Sequence, residues 1–262
     1  MTENAVTARW RAGGVAIGGW CATGQPFVAE LIARQGFDFV LLDTQHGLYS
    51  PDALLHCLVA VESKGPAPLV RVASGDPVEI GQVLDAGAHG VVVPMIETAA
   101  DAERAVGACR YHPDGVRSFG PLRASLRLGR DPGALAGGVV CLVMVETARG
   151  VDHIDEIAAV PGVDGVFIGP ADLAISYGLP PSMTPVPGVH ADALAQIRSA
   201  GKRAGVAVGI PCADAAAARD RVAEGYTLVT LGSDAQWITE SARTQLQALR
   251  EGRPSPSQPD GL

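Results

Sequence analysis

The chain is short of lysine. Among its 262 residues only Lys64 and Lys202 carry a side-chain amine, and neither ends an apolar run, so a Schiff-base mechanism has no natural nucleophile. No uninterrupted apolar stretch reaches about 18 residues, which excludes a transmembrane helix. The opening MTENAVTARW lacks the apolar core of an export signal, which predicts a cytoplasmic protein. There is no CxxC pair. The five cysteines, Cys21, Cys57, Cys109, Cys141 and Cys212, are scattered and odd in number, the pattern of reduced thiols rather than of a disulfide frame or zinc site. Positive charge is also scarce: 20 Lys and Arg face 28 Asp and Glu, for a net charge of −8. That balance argues against nucleic acid or an anionic membrane as a partner and leaves small molecules, whose binding a few local arginines can govern.

What is present is apolar. Hydrophobic residues make up 47% of the chain and charged ones 18%, enough to bury a sizeable core. Short β-like runs at 15–20, 37–42, 68–72, 90–95, 139–145, 165–168, 206–209 and 228–231 alternate with segments of helical periodicity such as 27–35, 51–63, 99–109 and 213–224. Runs apolar on both faces suit a parallel sheet covered by helices. Eight strand–helix units predict an α/β fold of the (β/α)8 TIM-barrel type, one domain over 1–250. A doubly wound open sheet is the alternative, but no GxGxxG follows the first strand. The Pro/Ser-rich segment 251–262 reads as a disordered tail. Two further stretches break the rhythm, an Arg/Gly/Pro-rich one at 111–138 and another at 176–189; long loops in compact domains are usually functional or disordered.

Catalytic groups of such barrels gather at the C-terminal ends of the strands. Five polar residues fall there: Asp43 and His46 after the second strand, Arg71 at the end of the third, Glu146 after the fifth and Asp172 after the sixth. A carboxylate closing a buried strand is costly unless compensated, and a divalent cation shared by Glu146 and Asp172 would compensate both. The plainer alternatives are pairing with an arginine or, for Asp172, capping the helix that starts near residue 173. His46, three residues beyond Asp43, reads as a general base or as a loop histidine bonded to backbone. Arg71 interrupts an apolar strand and needs an anion: Asp43, Glu146, a substrate carboxylate or a developing enolate oxygen. The segment 231–236 offers a weak anion site at a helix start, with Ser233 or Asp234 as cap.

In combination, GFDFVLLDTQHG, PLVRV, AGAHGVVVPMIET, RYHPDGVRSFGPLR and MVETARGVDHIDEIAAVPGVDGVFIGPADL form an ordered series over residues 12–250. This series resembles the HpcH/HpaI family of class II pyruvate aldolases, of the 4-hydroxy-2-oxoheptanedioate and 2-dehydro-3-deoxyglucarate type. The resemblance implies a metal-dependent lyase that joins or cleaves pyruvate, or a related 2-oxo acid such as hydroxypyruvate, and an aldehyde through an enolate. It implies Mg²⁺, Mn²⁺ or Co²⁺ on Glu146 and Asp172, His46 as base, Arg71 as enolate stabiliser, and Asp85 as the acid that raises the histidine's basicity. It also places Asp43 beside the base and Ala171 against the substrate carboxylate, and it implies a homo-hexamer whose subunits close each other's pockets.

Two positions depart from the family pattern. Gln45 stands where many members have Glu, and Met144, in the substrate-binding position, stands where many have Gln. Neither removes a metal ligand or the base. Two other readings remain: an acyl-CoA lyase of the citrate-lyase β or malyl-CoA type, for which Arg117, Arg123, Arg127 and Arg130 would have to form a basic groove, and a non-catalytic metal-binding barrel.

Overall fold

The computed structural model describes residues 4–251; most of the expected tail lies outside them. Eight strands follow one another: β1 (Ala16–Cys21), β2 (Phe39–Asp43), β3 (Ala67–Arg71), β4 (Gly90–Val93), β5 (Val140–Val145), β6 (Gly165–Ile168), β7 (Ala207–Cys212) and β8 (Leu228–Leu231). Each pairs in parallel with the next, and β8 pairs with β1, so the sheet closes into a barrel rather than an open doubly wound sheet. Helices follow the strands and cover the outside, as in a (β/α)8 barrel.

Side chains alternate along each strand, and here the alternation separates two cores. Val40, Leu42, Val70 and Val143 face the helices. Phe39, Leu41, Leu69, Leu142, Phe167 and Leu228 fill the barrel interior. Gly18 belongs to that inner layer, where a Cβ would stand 2.2 Å from the Phe39 ring, so the residue must be glycine for the phenyl to lie across the barrel. Following the inner positions further up gives Asp43 on β2, Arg71 on β3 and, past Met144, Glu146 just beyond the end of β5. The same period that builds the apolar core therefore turns three charged residues inward at its top.

The bottom of the barrel is plugged. Helix Ala5–Arg11 lays Val6 into the inner cluster. Asn4 donates from Nδ2 to the carbonyls of His89 (2.8 Å) and Gly138 (3.2 Å), and Trp10 donates from Nε1 to that of Thr227 (2.9 Å). His89 and Thr227 lie just ahead of β4 and β8, so this is the N-terminal end of the strands.

The Arg-rich stretch belongs to the same end. It leaves helix Ala99–Cys109, which runs back down the barrel, and contains two short helices, Ala124–Leu128 and Pro132–Gly137, before β5 begins. Arg123 pairs with Glu62 and donates to the Ala86 carbonyl at 3.1 Å, at the ends of the helices after β2 and β3. Arg127 lies 3.2 Å from Glu62, Arg117 pairs with Asp85 at 2.6 Å, and Arg130 sits 5.4 Å from the Phe119 ring centre. These arginines are thus engaged at the end of the barrel opposite the catalytic rim. The acyl-CoA reading loses the basic groove it required.

Candidate active site

The C-terminal rim opens on a cavity of about 490 Å³ whose walls include Trp20, His46, Arg71, Met144, Ala171 and Asp172. Five of these were expected from sequence. The sixth, Trp20, is the inward residue of β1 just below the rim.

Asp43 and Arg71 occupy paired positions on β2 and β3, and both are buried, 2% and 6% exposed. Arg71 donates from Nε to Asp43 Oδ1 at 2.9 Å and from Nη2 to Oδ2 at 2.6 Å, so the fork of the guanidinium meets the carboxylate with both prongs. Trp20 completes the clamp: its ring centre is 4.7 Å from the guanidinium carbon, and its Nε1–H donates to Asp43 Oδ2 at 3.3 Å. Burial pushes the Asp43 carboxyl up, but the Arg71 hydrogen bonds and charge outweigh it and hold the group below its ordinary range. Of the partners open to Arg71, Asp43 is the one it takes, and the guanidinium still lines the cavity.

Asp43 also shapes the turn that follows. Its Oδ1 accepts from the backbone N–H of Gln45 (3.1 Å) and of His46 (3.3 Å). The carboxylate therefore orients His46 through the main chain, and the imidazole projects exposed at the cavity wall. Gln45 carries a side-chain oxygen that is sealed from solvent and has no hydrogen-bond partner.

Glu146 is 2% exposed on the opposite wall. Its Oε1 accepts the N–H of Met95 at 2.9 Å. Met95 follows β4 with φ of +56°, a left-handed conformation unusual for a residue with a side chain, and this turns its amide toward the carboxylate. Burial first, and the charge of Asp172 second, push the Glu146 carboxyl up to about 7. Gly169 explains how the two acids meet. A Cβ there would lie 2.3 Å from Glu146 Oε2, so only glycine lets the turn after β6 pass against Glu146 and start helix Pro170–Ser176 beside it.

Asp172 is in the first turn of that helix, exposed toward the cavity, and the helix is capped by Gly169 with no side-chain bond, so Asp172 is not its cap. The fully buried His190 fixes the helix start, since its Nδ1 accepts from Val186 N–H and its Nε2 donates to the Pro170 carbonyl, both at 3.0 Å.

Two carboxylates close enough to feel each other's charge, one of them buried, would fit a divalent cation. Among the described residues no group of three or more His, Cys, Asp and Glu is arranged to hold a metal ion.

Asp85 is not brought to this site. It ends helix Pro77–Asp85, at the opposite end of the barrel from His46, and its Oδ1 accepts from Arg117. Sequence reasoning passed over Trp20, Met95, Gly169 and His190. A tryptophan at an inward position near a strand end was a visible signal; the left-handed Met95 and the bonds of His190 were not.

A closed parallel barrel that gathers Asp43, His46, Arg71, Glu146 and Asp172 at the C-terminal ends of its strands has the plan of a (β/α)8-barrel enzyme. The HpcH/HpaI aldolase/citrate lyase family model matches residues 16–241. The chain is 40% identical to a hydroxypyruvate/pyruvate aldolase of Rhizorhabdus wittichii over 94% of its own length and 99% of the relative's. It is 44% identical to a 4-hydroxy-2-oxovalerate aldolase of Novosphingobium aromaticivorans, covering 78% of this chain and 79% of that one. A crystal structure of an HpcH/HpaI aldolase/citrate lyase family protein from Burkholderia cenocepacia superposes with a TM-score of 0.86 at 36% identity, covering 94% and 99% of the two chains. The chain belongs to the HpcH/HpaI aldolase/citrate lyase family. It is an aldolase, a carbon–carbon lyase, of a family that depends on divalent metals.

Proposed function

We propose that this aldolase is of class II and makes and breaks the carbon–carbon bond between pyruvate, or a near relative such as hydroxypyruvate, and an aldehyde. The observation that carries the reading is the layer formed by Asp43, Arg71 and Glu146 at the top of the barrel core, with His46 and Asp172 on its edge. The names of the relatives point to the same donors.

Glu146 and Asp172 would hold the cation, Mg²⁺, Mn²⁺ or Co²⁺, all of which accept carboxylate oxygens. When bound there it supplies Lewis acidity toward a 2-oxo acid. His46 removes the C3 proton of the donor and returns one in the reverse direction, held by its turn at the cavity wall. Arg71 stabilises the negative charge that develops on the enolate oxygen, and Asp43 and Trp20 keep its guanidinium from swinging away. The Ala171 backbone at the start of helix Pro170–Ser176 receives the donor carboxylate, and Met144 gives the cavity an apolar floor. The two lysines stand outside this constellation.

The protein is further proposed to act in the cytoplasm as a one-barrel subunit of a homo-hexamer. No helix among the described residues is long and apolar enough to cross a membrane. A role for Asp85 in tuning His46 requires a neighbouring copy to deliver it, since its own chain holds the two apart.

The test is an aldol assay with pyruvate or hydroxypyruvate and a panel of aldehydes. His46→Ala and Arg71→Ala should abolish turnover while the barrel stays folded, and near-normal turnover in either would overturn the role assigned.

A further inference from the structure

A buried carboxylate that the mechanism does not use sits behind the base. Asp234 is 1% exposed and opens helix Asp234–Arg250. Ser233 caps that helix, its hydroxyl oxygen accepting from Gln236 N–H at 3.2 Å, which frees the Asp234 side chain to turn inward. There Oδ1 accepts from the N–H of Ala22 (2.9 Å) and of Ala235 (2.8 Å). Oδ2 accepts from the N–H of Thr23 (3.1 Å) and from the Thr23 hydroxyl (2.6 Å). Four donors and no paired cation among these bonds make Asp234 a peg for the segment that leaves β1.

That segment holds the turn of His46. The Ala22 carbonyl accepts from Leu48 N–H at 2.8 Å, and the Cys21 carbonyl accepts from the Tyr49 hydroxyl at 3.1 Å. The two backbones touch so closely that a Cβ on Gly24 would lie 2.2 Å from the Leu48 carbonyl oxygen, and one on Gly47 2.8 Å from that of Ala22. Two residues upstream, Trp20 is the plate against Arg71. We propose that Asp234 is a positioning residue of the reaction: by pinning Ala22 and Thr23 it fixes the His46 turn on one side and the Trp20–Arg71 stack on the other. The weak anion site expected at 231–236 is thereby replaced by a different role, because its acid points into the protein.

The proposal rests on His46 being the base, and the experiment separates the two ideas. Exchange of pyruvate methyl protons in D₂O is measured with metal for the wild type, His46→Ala, Asp234→Asn, Thr23→Val and Thr23→Ser, with melting temperature followed in parallel. Asparagine keeps one acceptor oxygen, so it can accept on the Thr23 side or on the Ala22 and Ala235 side but not on both, and valine removes only the hydroxyl. The expected result is a 10- to 100-fold loss of kcat in Asp234→Asn and a smaller loss in Thr23→Val, with Thr23→Ser restoring the rate. The KM for pyruvate should stay within twofold, since Glu146 and Asp172 lie on the far wall. Normal kcat in folded Asp234→Asn and Thr23→Val, or a change confined to KM or to melting temperature, overturns the proposal while a dead His46→Ala leaves the base assignment standing. Exchange that survives in His46→Ala overturns both. If Asp234→Asn fails to fold, the Thr23 pair decides alone.

Discussion

Replacing Asp43 with asparagine should cost more than any surface change in this protein, and the reason is the guanidinium it leaves behind. Arg71 is buried and both prongs of its fork end on Asp43, at 2.9 and 2.6 Å. Asparagine keeps one acceptor but not the charge, so a cation remains in a partly desolvated site. Breaking a buried pair in this way costs about 3–5 kcal/mol, whereas removing both partners avoids the unpaired charge. The Trp20 ring and the open cavity supply some compensation, which places Asp43→Asn near the lower end, about 3 kcal/mol. In a chain of this length that lowers the melting temperature by roughly 6–12 °C.

The double variant Asp43→Asn/Arg71→Met should be less destabilised than the sum of the two single changes, by about 2 kcal/mol. Thermal and urea unfolding at pH 7 measure the cycle. The Asp43 carboxyl is held below its usual range, so its contribution is full above pH of about 4 and fades as pH falls through the lowered folded value. Additivity of the single variants at pH 7 would show that the clamp is not an energetic unit and would refute this reasoning.

Two further outcomes follow from the opposite wall. Glu146, pushed up to about 7, holds its proton more tightly in the folded protein than in the unfolded chain. The metal-free protein should therefore lose stability as pH rises from about 4.5 to about 7, by about 3 kcal/mol, and Glu146→Gln should flatten that slope; melting curves at pH 5 and 8 in EDTA check it, and an unchanged slope would exonerate Glu146. Gly169→Ala puts a Cβ 2.3 Å from Glu146 Oε2 and 2.8 Å from Met144 Cε, so it should displace the carboxylate and weaken Mn²⁺ binding more than tenfold by titration, at a stability cost of about 1–3 kcal/mol.

The barrel was legible because parallel strands are buried on both faces and so stand out as short apolar runs. Runs 165–168 and 228–231 coincide with β6 and β8, and the others shift by a few residues at their ends. The larger discrepancies have local causes. The seventh run ends at 209, yet β7 continues to Cys212 through Pro211; its pairing with β6 ends at Gly209, so the missing N–H of Pro211 forfeits no bond there. The fourth was carried to 95, but the left-handed Met95 keeps it from continuing past Val93.

The rim was legible for an equally simple reason: a charged residue at the end of an apolar run is an anomaly visible in one sequence. Which charge meets which was not. Arg71 had several possible partners until the register of β2 and β3 set Asp43 beside it. Asp234 looked like a cap because its inward turn depends on Ser233 taking that task. The Arg-rich stretch read as a functional loop or part of a basic groove on its composition alone, without regard to its place in the strand–helix order. Counting strands and helices would have placed it at the bottom, after a helix and before a strand.

The central claim is enolate formation at this rim, and it can be tested without knowing the aldehyde. The protein is incubated with pyruvate in D₂O and the methyl signal followed by NMR, with Mg²⁺ or Mn²⁺ and then with EDTA. The account predicts loss of the signal with metal, its persistence with EDTA, and its persistence in His46→Ala. Exchange that continues undiminished in EDTA, or in the absence of His46, would contradict it.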